Sequence, residues 1–224
     1  MHGVGTTLLV GPSPTLIEMA TTLGREGERI GLLARTVARL RQCKQHLEAH
    51  DVDCEWFTAD VSDAGAVLAA FKRFADWSPR LDRLIYNVGI ASHEPAVDVT
   101  TSSLHNVMGA NFFGLVNCLR LAHPMFKRTG GGHVLILSSA RALENDQSVA
   151  YAASKASVRI YIAALRRELG ESPIKFSEVY LGQMRGNSGW RDLTQEEIVS
   201  GVLSTIQLQP ERCIIGEDTA NSNS

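Results

Sequence analysis

The stretch Gly131-Gly-His-Val-Leu-Ile-Leu-Ser-Ser139, followed after a charged insert by Ala150-Tyr-Ala-Ala-Ser-Lys-Ala-Ser-Val-Arg-Ile-Tyr-Ile-Ala-Ala-Leu-Arg-Arg-Glu-Leu169, decides the fold. His133–Leu137 is rich in β-branched and aliphatic residues and lacks strict alternation, the pattern of a strand buried on both faces. The second segment carries apolar residues at helical spacing on more than one face: Ala152, Ala156, Ile160 and Ala163 lie opposite Val158, Ile162 and Leu165. A helix apolar on more than one side is a buried helix, so a strand and then a buried helix are predicted here.

The same pairing recurs outward in both directions. Short apolar runs predict strands at Thr6–Val10, Arg29–Ala34, Cys54–Thr58, Leu81–Tyr86, Ile174–Tyr180 and Arg212–Ile215. Helical patterns fall between them at Thr15–Glu26, Val37–His50, Ala64–Asp76, Leu104–Lys127 and Thr194–Ile206. Strands alternating with helices imply right-handed crossovers and parallel pairing. The expected fold class is α/β: a Rossmann-like doubly wound parallel sheet of about seven strands, one domain over residues 1–217. Such sheets bind ligands at the carboxyl ends of their strands, at the topological switch point. The small, polar tail Asp218–Ser224 is expected to be disordered.

Composition narrows the function classes. The 224 residues carry a formal net charge of −2, with 21% charged and 44% hydrophobic residues. No basic excess calls for a nucleic acid or a membrane surface as partner. The start Met1-His2-Gly3-Val4-Gly5 lacks the basic and apolar regions of a signal peptide, and no apolar run approaches the ~20 residues that span a bilayer. A cytoplasmic protein is expected. Cys43, Cys54, Cys118 and Cys213 form no Cys-x-x-Cys pair and read as free thiols. His46 and His50 are four apart on a predicted helix near Cys43, but no third ligand is in register, so no metal site is expected.

Chemistry concentrates at Tyr151-Ala-Ala-Ser-Lys155. Residues four apart on a helix share a face, which sets a phenol beside an ammonium. A neighbouring cation favours phenolate, and a tyrosine so placed can carry a proton near neutral pH. Ser138 and Ser139 end the preceding strand, thirteen and twelve residues before Tyr151. A hydroxyl there is placed to hydrogen-bond a substrate oxygen.

With these landmarks in order, the chain resembles the short-chain dehydrogenase/reductase family from Thr6 to about Gly216. Asp60-Val61 is similar to the family's adenine-contacting Asp-Val. Asn87-Val-Gly89 is similar to the end of its Asn-Asn-Ala-Gly motif, with Tyr86 in place of the first Asn. Asn111 of Asn-Phe-Phe-Gly114 and the pair Tyr151 and Lys155 match the catalytic positions. The resemblance implies that Tyr151 exchanges the proton at the substrate oxygen. Lys155 would lower its pKa and hold the nicotinamide ribose, a serine would polarise the carbonyl, and Asn111 would anchor a relay water. The thirteen-residue spacing selects Ser138 as that serine, whereas the family's Ser-Ser pattern selects Ser139. Cofactor contacts are implied at Gly11, Ser13, Thr15, Leu16, Arg35, Asp60, Val61, Asn87, Gly89, Tyr151, Lys155 and Gly182.

Two segments depart from the family pattern. The first turn, Val10-Gly-Pro-Ser-Pro-Thr-Leu-Ile17, keeps only Gly11 of the Thr-Gly-x-x-x-Gly-x-Gly motif. Pro12 and Pro14 have no N–H to offer a pyrophosphate, though the Ser13 and Thr15 hydroxyls replace some donors. After strand six, Leu181-Gly182 stands where the family has Pro-Gly, and the segment Gln183–Arg191 is short for a substrate lid. At the end of strand two, Ala34 cannot bind a ribose diol, whereas Arg35 can pair with a 2′-phosphate. NADP is therefore expected over NAD. The resemblance implies hydride transfer between NADP(H) and a small-molecule carbonyl or secondary alcohol, in a homodimer or homotetramer built on the helix from Tyr151. The broken glycine loop and short lid support a rival reading, a nucleotide sensor or interaction protein on the same fold. Substrate walls are expected from Ile90–Val97, Arg141–Val149 and Gln183–Arg191.

Overall fold

A computed structural model describes residues 5–92, 94–139, 148–182 and 193–216. The tail and most of Arg141–Val149 and Gln183–Arg191 lie outside the described residues. The strands are β1 (Thr6–Val10), β2 (Arg29–Ala34), β3 (Cys54–Thr58), β4 (Arg83–Tyr86), β5 (Gly132–Ser139), β6 (Ile174–Leu181) and β7 (Arg212–Ile215). The helices are α1 (Pro14–Arg25), α2 (Val37–Glu48), α3 (Ala64–Trp77), α4 (Thr101–Met108), α5 (Gly114–Thr129), α6 (Val149–Leu169) and α7 (Gln195–Leu208). The seven strands form one sheet in the order β3-β2-β1-β4-β5-β6-β7, every pairing parallel. This is the doubly wound sheet read from the sequence.

Because alternate strand residues point to opposite faces, the sheet builds two cores. On one face Leu84, Val134 and Ile136 pack with Phe71 and Phe74 of α3, Leu115 of α5 and Val158 and Ile162 of α6. On the other, Leu9, Leu32, Ile85 and Leu135 pack with Leu16 and Met19 of α1, Leu40 of α2 and Val202 of α7. Each large aliphatic side chain so buried contributes about 1.5–3 kcal/mol, which explains strands that read as unbroken apolar runs.

The helix predicted over Leu104–Lys127 is longer and less regular than its periodicity implies. A π-helical turn, Gly109–Phe113, joins α4 to α5, with the Gly114 N–H bonded to the Gly109 carbonyl five residues back. One residue added to a turn leaves the apolar pattern on either side intact, so periodicity alone does not reveal it. Among the described residues no helix is long and apolar enough to cross a membrane. No group of three or more His, Cys, Asp or Glu among them is placed to hold a metal. All four cysteines are free. The His46 and His50 rings lie 4.6 Å apart, and His50 Nδ1 bonds the His46 carbonyl.

A polar band crosses the amino-terminal end of the sheet, opposite the expected site. Arg83 Nη1 donates to Glu28 at 2.7 Å and to Thr7 Oγ1 at 2.8 Å. His133 pairs with Arg83 in the register of β4 and β5 and meets Ser177 Oγ through Nε2 at 2.8 Å. Ser177 gives its one proton to the Pro210 carbonyl, so it accepts from His133 Nε2–H. The imidazole is neutral, and its Nδ1 is unpartnered. Burial, and secondarily the Arg83 cation, push the His133 pKa down from 6.5 to about 4. As pH falls below 6.5 the unfolded chain takes a proton that the folded chain refuses until about 4. His133 therefore withdraws stability across that window. Urea midpoints measured from pH 7 to pH 4 fall less steeply in His133→Gln than in the wild type; equal slopes would refute the assignment.

Candidate active site

β1 pairs with β2 on one side and β4 on the other, and the loops leaving β1 and β4 part above them. A cavity of about 260 Å³ opens there. Of the expected cofactor contacts, Gly11, Ser13, Arg35, Asp60, Val61, Asn87 and Gly89 line it. Gly11 has φ +77°, and a Cβ on it would lie 3.0 Å from the Asn87 carbonyl oxygen and from Val88 Cγ2. Glycine is thus required there by both conformation and space. Asn87 locks the two loops together: Nδ2 donates to the Gly11 carbonyl at 2.9 Å, and its backbone N–H donates to the Val10 carbonyl at 2.9 Å.

The proline-containing turn folds as a helix start. Ser13 is the N-cap of α1, its hydroxyl accepting from the Leu16 N–H at 3.4 Å, with Pro14 in the first turn. Thr15 and Leu16 are not among the residues lining the cavity. Leu16 is buried in the core beneath α1. Gly182, with φ +108°, ends β6 and bonds the Ile215 carbonyl, also away from the cavity wall.

At the adenosine end of the cavity, by the family resemblance, Arg35 Nη1 stands 3.7 Å from Asp60 Oδ2, both largely exposed. Two hydrogen bonds from Ser62, and secondarily Arg35, hold the Asp60 carboxyl below its usual value despite partial burial. Arg39 also lines this wall, a residue the sequence reading missed. Its spacing four after Arg35, across the start of α2, is the signal that was present.

At the other end of the cavity, behind Gly89, α6 brings in Tyr151 and Lys155, neither of which is among the residues lining the cavity itself. A Cβ on Gly89 would lie 3.6 Å from Lys155 Nζ and 3.9 Å from Tyr151 Cε2, so glycine leaves that space free. Lys155 Nζ sits 5.4 Å from the centroid of the Tyr151 ring. It has no carboxylate partner among the described residues, and burial pushes its pKa down to about 8. Tyr151 is likewise raised by burial, an effect opposed by the Ser138 hydroxyl. The cation was expected to bring the phenol down. In the protein alone burial raises the phenol instead, and the opposing effect comes from Ser138 rather than from Lys155.

Strand alternation separates the two serines. Ser138 shares a side of β5 with Val134 and Ile136, the side α6 covers, and Ser139 points the other way. Ser138 Oγ is buried near the Tyr151 phenol without a hydrogen bond of good geometry. Asn111, buried in the π turn, accepts from the Ile90 N–H at 2.8 Å and donates to the Ile90 carbonyl at 2.9 Å and to Ser154 Oγ at 2.8 Å.

Known proteins of one family resemble this chain over most of its length. The family model described as short chain dehydrogenase matches residues 16–197. An uncharacterized oxidoreductase of Mycobacterium tuberculosis is 27% identical over 219 residues, 93% of this chain and 87% of that one. A 3-oxoacyl-[acyl-carrier-protein] reductase of Staphylococcus aureus is 27% identical over 207 residues, 92% of this chain and 82% of that one. In fold, the chain is similar to an alcohol dehydrogenase of the archaeon Thermococcus sibiricus complexed with 5-hydroxy-NADP. The TM-score is 0.79 at 21% identity, over 96% of this chain and 95% of that one.

Lys155 costs the fold stability. The gap from 10.5 to about 8 corresponds to roughly 3 kcal/mol at neutral pH, since each pH unit is worth 1.36 kcal/mol. The penalty is present at pH 7 and fades as pH rises from 8 toward 10.5. Lys155→Met is expected to unfold at higher urea than the wild type at pH 7, with the advantage shrinking by pH 10. A less stable variant at pH 7 would contradict the burial argument.

Proposed function

The chain belongs to the short-chain dehydrogenase/reductase family and is an NAD(P)-dependent oxidoreductase, and from that premise we propose that it interconverts a small-molecule carbonyl and the corresponding secondary alcohol with NADP(H), Tyr151 carrying the proton. The observation that carries this reading is the meeting of Tyr151 and Lys155 beside Gly89, which lines one end of a cavity whose other end presents Arg35 and Arg39. The residues suit a dinucleotide. Gly11 and Gly89 line the cavity between its ends, and Asp60 and Val61 flank the adenosine end. Lys155 offers a buried ammonium with no carboxylate partner to a ribose hydroxyl. When bound, the nicotinamide supplies or accepts the hydride.

The chain's own groups handle the oxygen and its proton. The Tyr151 phenol donates to, or accepts from, the substrate oxygen, and burial keeps it protonated and ready to donate in the reductive direction. Ser138, whose hydroxyl has no hydrogen-bond partner among the described residues, donates a second hydrogen bond to that oxygen as charge develops on it. Asn111, fixed by Ile90 and Ser154, holds the helix beneath the site.

Preference for NADP rests on charge. β2 ends at Ala34 with no carboxylate for a ribose diol, and two guanidinium groups line that wall. The chain departs from its family at the pyrophosphate turn, where the α1 cap already engages Ser13. More of the affinity then falls to the 2′-phosphate. Ile160 of α6 is 64% exposed, which supports a homodimer or homotetramer packed on that helix, checked by sedimentation.

Arg35→Ala and Arg39→Ala are each expected to weaken NADPH binding by about tenfold, the worth of one lost charge-assisted contact, and to leave NADH nearly unchanged. Calorimetric titration reads both; equal losses for the two nucleotides would argue against a 2′-phosphate site. Tyr151→Phe is expected to cut turnover of a carbonyl substrate by roughly 10²–10⁴-fold while binding NADPH normally. Binding without turnover in the wild type, across a carbonyl screen, would favour the sensor reading instead.

A further inference from the structure

Tyr86 closes β4 where the family resemblance leads to an asparagine. Its ring is 1% exposed, and its hydroxyl donates to the Ala110 carbonyl, inside the π turn, at 2.5 Å. Room for the phenol exists because residue 114 is glycine: a Cβ there would lie 2.5 Å from Tyr86 Oη and 2.5 Å from Val61 Cγ2. Burial holds the phenol well above its ordinary pKa, so it remains a donor across the range in which the protein is folded.

The residue after Ala110 is Asn111. Its three side-chain bonds reach both backbone groups of Ile90 and the Ser154 hydroxyl, and Ser154 Oγ donates onward to the Tyr151 carbonyl at 2.7 Å. An unbroken path of hydrogen bonds and one peptide unit therefore joins Tyr86 to the backbone of Tyr151. The path depends on helical register. A π turn holds one residue more than an α turn, and each α-helical residue advances about 100° around the axis. Relaxation of Gly109–Phe113 to α register would carry Asn111 off both Ile90 and Ser154.

We propose that Tyr86 is a positioning residue that pins the π turn in the register from which Asn111 grips Ile90 and, through Ser154, the backbone of Tyr151. The effect on catalysis rests on Tyr151 being the proton carrier, whereas the effect on the turn does not. The bond from Tyr86 to Ala110 ties the last residue of β4 to the helix, and the bonds from Asn111 to Ile90 tie the loop after β4 to the same turn. One helical turn is thus clamped from two points of one strand end.

The test is Tyr86→Phe in the full chain, which removes one oxygen and keeps the ring. The Ile90 amide donates to Asn111 and reports the register directly. Its hydrogen exchange is expected to accelerate about tenfold relative to core amides of β4 and β5. kcat is expected to fall about tenfold as the phenol loses its placement, with NADPH affinity within about twofold of the wild type. An Ile90 amide that exchanges as in the wild type, whatever the change in melting temperature, overturns the proposal. So does a faster Ile90 amide with unchanged kcat, which would cut the link to Tyr151. Should Tyr86→Phe fail to fold, Ser154→Ala breaks the path at its far end: a similar loss of kcat with Ile90 still protected is expected, and unchanged kcat overturns the link. Full turnover in Tyr151→Phe would instead remove the catalytic reading, and the Ile90 amide would still decide the role of Tyr86 in the turn.

Discussion

β1 is bonded on both edges, to β2 through Thr6–Val10 and to β4 through Thr7–Val10. The remaining architecture depends on this double pairing. The chain winds outward from β1 to β3, returns through α3 and winds outward again from β4 to β7. The helices α1 and α2 go to one face and α3, α5 and α6 to the other. The loops after β1 and β4 must therefore diverge, and a cavity follows from connectivity before any side chain is chosen. Side chains then decide what the cavity accepts.

Polarity is arranged unequally at the two ends of the sheet. At the amino-terminal end Arg83 meets Glu28, and farther along β6 Arg166 of α6 meets the buried Glu178 at 3.1 Å, although Arg83 Nε and His133 Nδ1 lack partners. Buried charges that are paired cost little more than their desolvation, and losing a partner would cost several kcal/mol. At the carboxyl end Lys155 is buried with no carboxylate partner among the described residues, and Ser138 Oγ lacks a partner of good geometry. Unsatisfied polar groups persist where the surrounding structure over-determines them, and such strain gathers at functional sites. The two apolar cores supply the stability against which the poorly satisfied groups above the sheet are held.

The sheet was legible because its signal is redundant. Strands buried on both faces are apolar over most of their length, so Val134–Leu137 and Leu8–Val10 declare themselves, with polar residues only where each strand begins. Tyr151 and Lys155 were legible because helix geometry fixes what residues four apart share. Features set by tertiary contacts were not. The π turn leaves no trace in periodicity, since it is held by Tyr86 from a strand 24 residues earlier and by Ile90 from a loop 21 residues earlier. Arg39 carries no motif of its own, and only the course of α2 places it on the cavity wall beside Arg35. Spacing left Ser138 and Ser139 open. The parity of β5, which only pairing with its neighbours establishes, turns Ser138 toward α6.

The proline turn illustrates how a departure in sequence redistributes work in structure. Two prolines remove two N–H groups, and the Ser13 hydroxyl is occupied in capping Leu16. What the turn keeps is Gly11 in a left-handed conformation, held against Asn87 by a hydrogen bond from its side chain. The turn therefore keeps its shape while losing donors. Shape governs where the β1 loop lies and whether the cavity stays open; donors govern how tightly an anion is held there. On the proposed reading, binding energy lost at the pyrophosphate is supplied at the two ends, by Arg35 and Arg39 on one side and by Lys155 on the other. A dinucleotide held by its ends must span a fixed distance between them. The Asn87 lock, which joins the β1 and β4 loops, then matters more here than it would in a relative whose glycine turn grips the middle of the cofactor.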